Sequence, residues 1–316
     1  MGVTLRLKKL WARVLSYPPE PVDHDTTQDK PEQAPLEKPL RYPDGHFYSP
    51  IVDVEEVTQR QERIWPSDPV VVGIDFNDAS HQRILTEIFP RFIGGYDYPE
   101  LLEESESLAS YFTQNSQFGW LDSRALFVLL QEWKPRKLIE VGSGFSSLLV
   151  ADTNRRFLNN ACEVTCVEPF PRAFLKNGLP GVSRLLQSKV QEVPLEEFAR
   201  LDAGDILFID SSHVSKTGSD VNFLFFEVLP RLKSGVIVHV HDIFLPHDYL
   251  KDWVLHEARS WNEQYILRAM LTRSSAFEVL FGCTYANHRF PQLVKSALRL
   301  PSGQGFGGGS FWFCVK

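Results

Sequence analysis

The sequence predicts an α/β fold in which a mostly parallel sheet carries helices on both faces. From residue 137 onward, apolar runs of strand length alternate with stretches of helical pattern. A turn with two glycines follows the first of these runs, as in nucleotide-binding α/β proteins. With 316 residues and 43% hydrophobic content, the chain can bury the core that one such domain needs.

Three segments precede the predicted sheet. Residues 1–16 predict a basic amphipathic helix, whose pattern over residues 5–15 suits contact with an anionic membrane, docking on a partner, or packing within the protein. Residues 17–44 are rich in proline and predict an extended linker. Residues 45–120 predict an N-terminal helical cap, with helices near 54–65, 81–92 and 101–112.

Seven apolar runs are the predicted strands, and helices are expected between the first five of them. The runs lie at residues 137–141, 163–168, 182–186, 205–210, 236–240, 276–281 and 310–315. A glycine-rich segment at residues 302–309 separates the last two runs.

The turn after the first strand indicates which ligand the protein binds. The residues that bear on this are Glu140, Gly142 and Gly144. The two glycines allow a sharp turn and a close approach of the ligand to the backbone. A carboxylate at Glu140 would repel the pyrophosphate of a dinucleotide, and Ser147 replaces the third glycine of the dinucleotide fingerprint. S-adenosylmethionine, with its sulfonium and ammonium groups, would instead be attracted. Glu168, at the end of the second strand, is placed to accept hydrogen bonds from ribose hydroxyls.

With these residues, the chain resembles the class I S-adenosylmethionine-dependent methyltransferases from about residue 120 to 316, and the domain is placed at 121–316. It is most similar to a bacterial small-molecule branch in which one strand ends Asp-x-x-His and the next His-Asp, here Asp210 to His213 and His241-Asp242. The resemblance implies a Rossmann-like methyltransferase fold, whose seven-stranded sheet has an antiparallel end. It also implies that the N-terminal cap is a lid over the cofactor site.

The expected cofactor contacts follow the strand ends. They comprise the turn for the amino acid part of the cofactor, Glu168 for its ribose, Gln191 for its adenine and Asp210 for its amino group. The turn residues are Glu140, Gly142, Ser143 and Gly144. Asp210 has two open alternatives, since it could also cap the following helix or bind a metal.

Four ionisable residues are expected beyond the carboxyl ends of two successive strands, where open α/β folds bind their ligands. They are Asp210, His213, His241 and Asp242. Methyl transfer to oxygen or nitrogen requires the acceptor to lose a proton, and a base or a metal is the usual means. His213 suits a general base. Alternatively, Asp210 and Asp242, with His241, could hold Mg²⁺ or a transition metal, and proximity alone is the third alternative. Imidazole at His241 and Ile243 after Asp242 favour a softer ion than Mg²⁺.

The composition restricts the classes of binding partner that are expected. A net charge of −7 argues against a general nucleic-acid binder. No apolar run reaches the roughly twenty residues of a membrane span, and no secretory pattern opens the chain, so a cytoplasmic protein, peripheral to a membrane at most, is expected. The predicted activity is methylation of a small molecule, and a hydroxyl group is the first expectation for the methyl acceptor. Two alternatives stay open: an NAD-linked oxidoreductase, and a non-catalytic cofactor-binding or scaffold module of a membrane-associated assembly.

Overall fold

A computed structural model describes residues 42–101, 110–115, 117–299 and 307–316. The predicted helix at residues 1–16, with its membrane or partner contact through residues 5–15, lies outside these ranges, as does nearly all of the linker at 17–44. Most of the helix predicted near residues 101–112 is also outside them. Among the described residues, no helix is long and apolar enough to cross a membrane.

A single sheet of seven strands organises the molecule. The strands, in chain order, are β1 Lys137–Val141, β2 Glu163–Val167, β3 Arg184–Leu186, β4 Ile206–Ile209, β5 Ile237–Val240, β6 Phe277–Gly282 and β7 Phe311–Val315. Their spatial order is β3-β2-β1-β4-β5-β7-β6. The first five pair in parallel, and β7 is antiparallel to both β5 and β6. The predicted mostly parallel sheet with an antiparallel end is therefore confirmed.

The α-helices cover both faces and the edges of this sheet. They are α1 Val54–Gln59, α2 Gln61–Ile64, α3 Asp78–Arg83, α4 Phe89–Phe92, α5 Trp120–Trp133, α6 Phe145–Phe157, α7 Ala173–Lys176, α8 Leu195–Ala199, α9 Asp220–Phe223, α10 Lys251–Leu255, α11 Glu263–Leu271, α12 Cys283–Arg289 and α13 Pro291–Leu298. Single wider turns of π-helix lie at Ile84–Ile88 and Leu224–Val228, and short 3₁₀ turns at Ile93–Gly95, Val190–Glu192 and Leu229–Arg231.

Alternation along the strands divides the core between the two faces. In β1, Leu138 belongs to the cluster that contains α5 and α6, whereas Ile139 and Val141 belong to the cluster on the opposite face. Successive side chains of a strand point to opposite faces, so Glu140 lies on the same side as Leu138. That side also holds Phe118 and Trp312, against which His239 of β5 packs, and Phe118 also contacts His241, just after β5.

The N-terminal helices are built into this core. Ile84, just after α3, and Phe89, the first residue of α4, are fully buried in the same cluster as α5. Residues 42–316 form one compact unit. The segment nearer the start packs elsewhere: the Trp65 indole N–H donates to the backbone oxygen of Tyr249 at 2.7 Å, beside the loop that follows β5. The division of the chain at residue 120 stays a prediction, and helices near 54–65 and 81–92 are present as expected.

Candidate active site at the carboxyl ends of β1, β4 and β5

Gly142 makes the turn after β1 possible. Its φ is +82°, and a Cβ there would lie 1.7 Å from the backbone oxygen of Asp210. The backbone N–H of Gly142 donates to Val167, and that of Asp210 donates to Val141. The turn is therefore closed against the ends of β2 and β4, and no residue with a side chain fits at position 142.

Gly144 leaves open space instead. Its backbone is extended, at φ −158°, and a Cβ would find only the Oε1 of Gln117 within 4 Å, at 3.8 Å. Beside it, the backbone N–H of Ser143 donates to Oε2 of Glu168 at 3.2 Å, and Phe170 donates to Oε1 at 2.8 Å. Glu168 thus ties the end of β2 to the turn, in the position predicted for a ribose-binding acid. The buried hydroxyl of Ser143 has no hydrogen-bond partner in the part of the chain that the structure describes.

Glu140 lies beneath the turn. Its side chain is fully buried, and Oε1 and Oε2 accept hydrogen bonds from the hydroxyls of Ser146 and Ser147 at 2.5 and 2.7 Å. Burial raises the pKa of Glu140 from 4.5 to about 7, although both hydroxyls oppose the shift. Glu140 therefore fixes the start of α6 from below, and its raised pKa weakens the negative charge on which the predicted attraction to the cofactor depends. Its contact with the cofactor stays a prediction.

Asp210, His241 and Asp242 meet at the ends of β4 and β5, as the strand ends predict. The Nδ1 of His241 lies 3.4 Å from Oδ1 of Asp210 and 3.7 Å from Oδ1 of Asp242. One ligand atom from each residue lies within 4.8 Å of the other two. The Nδ1 atom is buried and has no hydrogen bond within the described residues. Burial lowers the pKa of His241, but the carboxylates of Asp242, Asp210 and Asp122 together outweigh burial and hold the pKa well above its usual value.

His213 lies on the other side of the two acids. Its Nε2 is 3.5 Å from Oδ1 of Asp210 and 3.5 Å from Oδ2 of Asp242. Its Nδ1 is 2.9 Å from Oε2 of Glu263, which is fully buried at the start of α11. Burial lowers the pKa of His213, but the hydrogen bond and charge of Glu263, together with the charges of Asp210 and Asp242, outweigh burial and raise the pKa above its usual value.

Asp122 is a second carboxylate that the strand ends did not predict. Its Oδ2 lies 3.4 Å from Nε2 of His241, and its two oxygens accept the backbone N–H groups of Gly309 and Ser310 at 2.9 and 2.7 Å. Burial raises the pKa of Asp122, but His241 and the backbone N–H groups of Gly309 and Ser310 together outweigh burial and hold the pKa below its usual value. Each histidine of the site therefore has a buried carboxylate on the side away from Asp210.

Two other polar residues near the strand ends are not part of this cluster. Gln191 lies just past β3, where its Nε2 donates to the backbone oxygen of Gly218 at 3.0 Å. His239 is stacked on Trp312, with ring centroids 3.9 Å apart, and neither of its nitrogens has a hydrogen bond among the described residues. Burial holds the pKa of His239 well below its usual value, so it is a neutral core side chain.

Comparison with known proteins gives the family. A family model described as "Methyltransferase domain" matches residues 139–243, which run from the glycine turn to the end of β5. An uncharacterized protein of Archaeoglobus fulgidus is 36% identical over 183 residues, which cover 56% of this chain and 82% of that protein.

Two solved structures are similar at low identity. An O-methyltransferase from Bacillus cereus, in complex with SAH, is 13% identical and has a TM-score of 0.37, with 84% of this chain and 100% of that one covered. A precorrin-6y C5,15-methyltransferase from Geobacter metallireducens GS-15 is 15% identical and has a TM-score of 0.36, with 70% and 100% covered.

The strand order and the turn after β1 define a Rossmann-like α/β protein. The chain belongs to the class I S-adenosylmethionine-dependent methyltransferase superfamily. Its cofactor class is therefore S-adenosylmethionine, and the family match at residues 139–243 disfavours the NAD-linked alternative.

Proposed function

We propose that the protein methylates a hydroxyl group of a small molecule, with S-adenosylmethionine as the methyl donor. The observation that carries this proposal is the position of Asp210. Its backbone oxygen touches the glycine turn at Gly142, and its carboxylate lies 3.4 to 3.5 Å from nitrogens of His241 and His213. Two histidines that could take up a proton therefore lie beside Asp210, and Asp210 itself contacts the turn assigned to the methyl donor.

The cofactor would lie across the ends of β1 and β2. Gly144 offers bare backbone and open space for the amino acid part, and Glu168 offers a half-buried carboxylate for the ribose hydroxyls. Gln191 is proposed for the adenine and Asp210 for the amino group of the cofactor. In this placement the methyl group faces the cluster of His213, His241 and Asp242.

In the proposed reaction, the acceptor oxygen attacks the methyl carbon, the carbon–sulfur bond breaks, and S-adenosylhomocysteine leaves as a neutral sulfide. The acceptor proton passes to Nε2 of His213, the ring nitrogen that faces Asp210 and Asp242. The two histidines are buried, whereas the carboxylates of Asp210 and Asp242 are partly exposed and so can be reached by a substrate. A histidine that serves as general base suits a reaction in which the acceptor loses its proton as the attack proceeds.

The residues of the cluster also fit a divalent cation. Asp210 and Asp242 offer oxygens and His241 offers Nδ1, a buried atom without a hydrogen bond in the described chain. Four carboxyl groups, of Asp122, Asp210, Asp242 and Glu263, surround only two imidazoles, which is a formal excess of negative charge. Burial raises the pKa of Asp242 and of Glu263, and a bound cation would favour their ionised forms. A mixed nitrogen and oxygen set suits a transition metal such as Mn²⁺ better than Mg²⁺. A bound cation would lower the pKa of the acceptor hydroxyl.

A calorimetric titration with S-adenosylhomocysteine tests the proposal. The EDTA-treated protein should bind, and Glu168→Ala should weaken binding by about 1–3 kcal/mol, the cost of lost charged hydrogen bonds. Glu227→Ala removes an exposed carboxylate, paired with Arg231 on a helix surface, and should leave the affinity unchanged. No binding by the folded protein would contradict the proposal and favour the scaffold alternative, while binding of NAD instead would favour the oxidoreductase.

A second titration, with Mn²⁺ and with Mg²⁺, tests the cation separately. We expect Mn²⁺ to bind the wild-type protein and to raise its melting temperature, and Asp242→Asn to abolish both effects. Equal stabilisation of the wild-type protein and the variant would show that the ion binds elsewhere. A screen of hydroxylated small molecules with methyl-labelled cofactor, with and without Mn²⁺, then identifies the acceptor. The proposal further includes a cytoplasmic location. It also includes no nucleic-acid partner, which the net charge of −7 supports.

A further inference from the structure

We propose that Glu263 is the positioning residue of His213, which fixes the proton on Nδ1 and leaves Nε2 free to accept the proton of the substrate. This inference rests on the proposed function, in which His213 takes that proton. Glu263 stands 50 residues after His213 in the chain, at the first position of α11, and no strand-end motif includes it.

The contact between the two side chains is closed to solvent. Oε2 of Glu263 lies 2.9 Å from Nδ1 of His213, and the two side chains are 0% and 8% exposed. On the opposite side of the ring, Nε2 faces Asp210 and Asp242, each 3.5 Å away. The ring thus has one nitrogen tied to a buried carboxylate and the other directed into the site.

The same carboxylate holds the backbone of His213. The other oxygen of Glu263, Oε1, accepts the hydroxyl of Ser211 at 2.9 Å, and Ser211 Oγ in turn accepts the backbone N–H of His213 at 3.0 Å. The backbone oxygen of His213 accepts the N–H groups of Asn262 and Glu263 at 3.0 and 3.2 Å.

The backbone conformation at His213 needs such support. Its φ is +60°, in the left-handed region that few residues other than glycine adopt. Trp261, just before α11, lies against the imidazole with ring centroids 4.2 Å apart. The segment that leads into α11 therefore determines the position, the orientation and the hydrogen bonding of His213 together.

The tautomer follows from this arrangement. Burial raises the pKa of Glu263, which the hydrogen bond with His213 opposes. Once ionised, this carboxylate only accepts hydrogen bonds, so a neutral imidazole beside it carries its proton on Nδ1. The lone pair of Nε2 then points toward Asp210 and Asp242, where the substrate hydroxyl is expected. Orientation of a ring by a hydrogen bond at its other nitrogen is a general way to select one tautomer.

Imidazole ¹⁵N NMR measures the tautomer directly. Spectra of the EDTA-treated full chain, bound to S-adenosylhomocysteine, are recorded at the alkaline end of a pH series, where the imidazole signals stop moving. The chain has nine histidines, and His213→Gln identifies the His213 signals by their loss. We expect the wild-type protein to show Nδ1 protonated and Nε2 unprotonated. In Glu263→Ala the ratio of the two tautomers should fall by about tenfold or more, the effect of one charged hydrogen bond.

Two further variants separate positioning from stability. Glu263→Gln keeps the volume and one acceptor oxygen, so its tautomer ratio should lie between those of the wild-type protein and Glu263→Ala. Gln264→Ala removes a buried neighbour that holds Phe244 and His247. It should lower the melting temperature and leave the His213 tautomer unchanged.

A wild-type spectrum with Nε2 protonated would overturn the inference, and so would an unchanged ratio in folded Glu263→Ala. If neither Glu263 variant folds, the wild-type tautomer decides. Failure of S-adenosylhomocysteine to bind the wild-type protein would instead contradict the proposed function. The two failures are therefore distinguishable, because the tautomer is measured without any turnover.

Discussion

Gly142 and Gly144 differ in what an added side chain would meet. Gly142→Ala places a methyl group 1.7 Å from the backbone oxygen of Asp210, at a φ of +82°. Backbone cannot move aside as a flexible side chain can, so we expect a loss of about 3 kcal/mol or more of unfolding free energy. Gly144→Ala meets only Gln117, at 3.8 Å, and should stay within about 0.5 kcal/mol of the wild-type protein.

Gly144→Ala, which should hardly change the stability, should nevertheless weaken the affinity for S-adenosylhomocysteine. Gly144→Ala fills space assigned to the cofactor, so a folded, stable variant with about tenfold weaker binding is expected. Urea denaturation and calorimetry on the same samples check both quantities. A destabilised Gly144→Ala, or one with wild-type affinity, would contradict the assignment of that space.

Glu140 makes stability depend on pH. Its pKa is raised from 4.5 to about 7, so the folded state holds this proton in a range where the unfolded state has lost it. Stability therefore falls as pH rises from 4.5 to 7, by about 3 kcal/mol in all. Glu140→Gln lacks this ionisation. We expect the variant to gain about that much relative to the wild-type protein across this window, and no further gain above pH 8.

Unfolding free energies of both proteins at half-unit steps of pH measure this difference. The subtraction removes the contributions of other buried acids, provided that they titrate alike in both proteins. A difference that stays constant from pH 4.5 to 8 would show that Glu140 is ionised throughout, and would restore the expectation of a fully charged acid beneath the turn.

The sequence predicted the site residues that end strands and missed those that support them. Asp210, His213, His241 and Asp242 follow apolar runs, and the ends of neighbouring parallel strands meet at one edge of the sheet. Asp122 and Glu263 come from helices whose contacts with the histidines join residues 119 and 50 positions apart. Periodicity within one element carries no information on such contacts. The only local signal is an acid in the first turn of each helix.

At the scale of elements, the strands were predicted well because most of their residues are apolar and buried. Apolar runs at residues 137–141, 276–281 and 310–315 match β1, β6 and β7 within one residue at each end. The edge strand β3 is the exception: it begins at Arg184 rather than at residue 182, and its three residues are only half-buried. A short edge strand has few apolar positions that mark its start.

The entry to β7 depends on small residues. A Cβ at Gly308 would lie 2.5 Å from Oδ1 of Asp122 and 2.9 Å from the Cβ of Cys283. Asp122 cannot swing away without loss of its hydrogen bonds to Gly309 and Ser310. We expect Gly308→Ala to lose about 1–3 kcal/mol of unfolding free energy by overpacking.

Gly307→Ala is the matched control, because a Cβ at that position meets nothing within 4 Å. Urea denaturation of the two variants and the wild-type protein measures the effect. Similar losses in both variants would show that chain flexibility, rather than the contact with Asp122, requires glycine in this segment. A wild-type stability for Gly308→Ala would show that Asp122 can move, and would weaken its role beside His241.

At the scale of the whole molecule, residues 42–316 hold a shared core and the candidate site. Residues 1–41 carry the basic amphipathic pattern that predicts a membrane or partner contact. We expect a chain that lacks residues 1–41 to keep the melting temperature and the S-adenosylhomocysteine affinity of the full chain. The full chain should cosediment with vesicles that contain phosphatidylserine, and the shortened chain should not.

Trp11→Glu in the full chain makes this test specific, since it keeps the length and places a charge on the apolar stripe. Its cosedimentation should fall to that of the shortened chain. None of the three proteins should bind neutral phosphatidylcholine vesicles, because basic residues need an anionic surface. Equal vesicle binding by the full and shortened chains would contradict a membrane contact through residues 5–15. A lower melting temperature of the shortened chain would instead make that helix a structural element, which the sequence pattern alone permits equally.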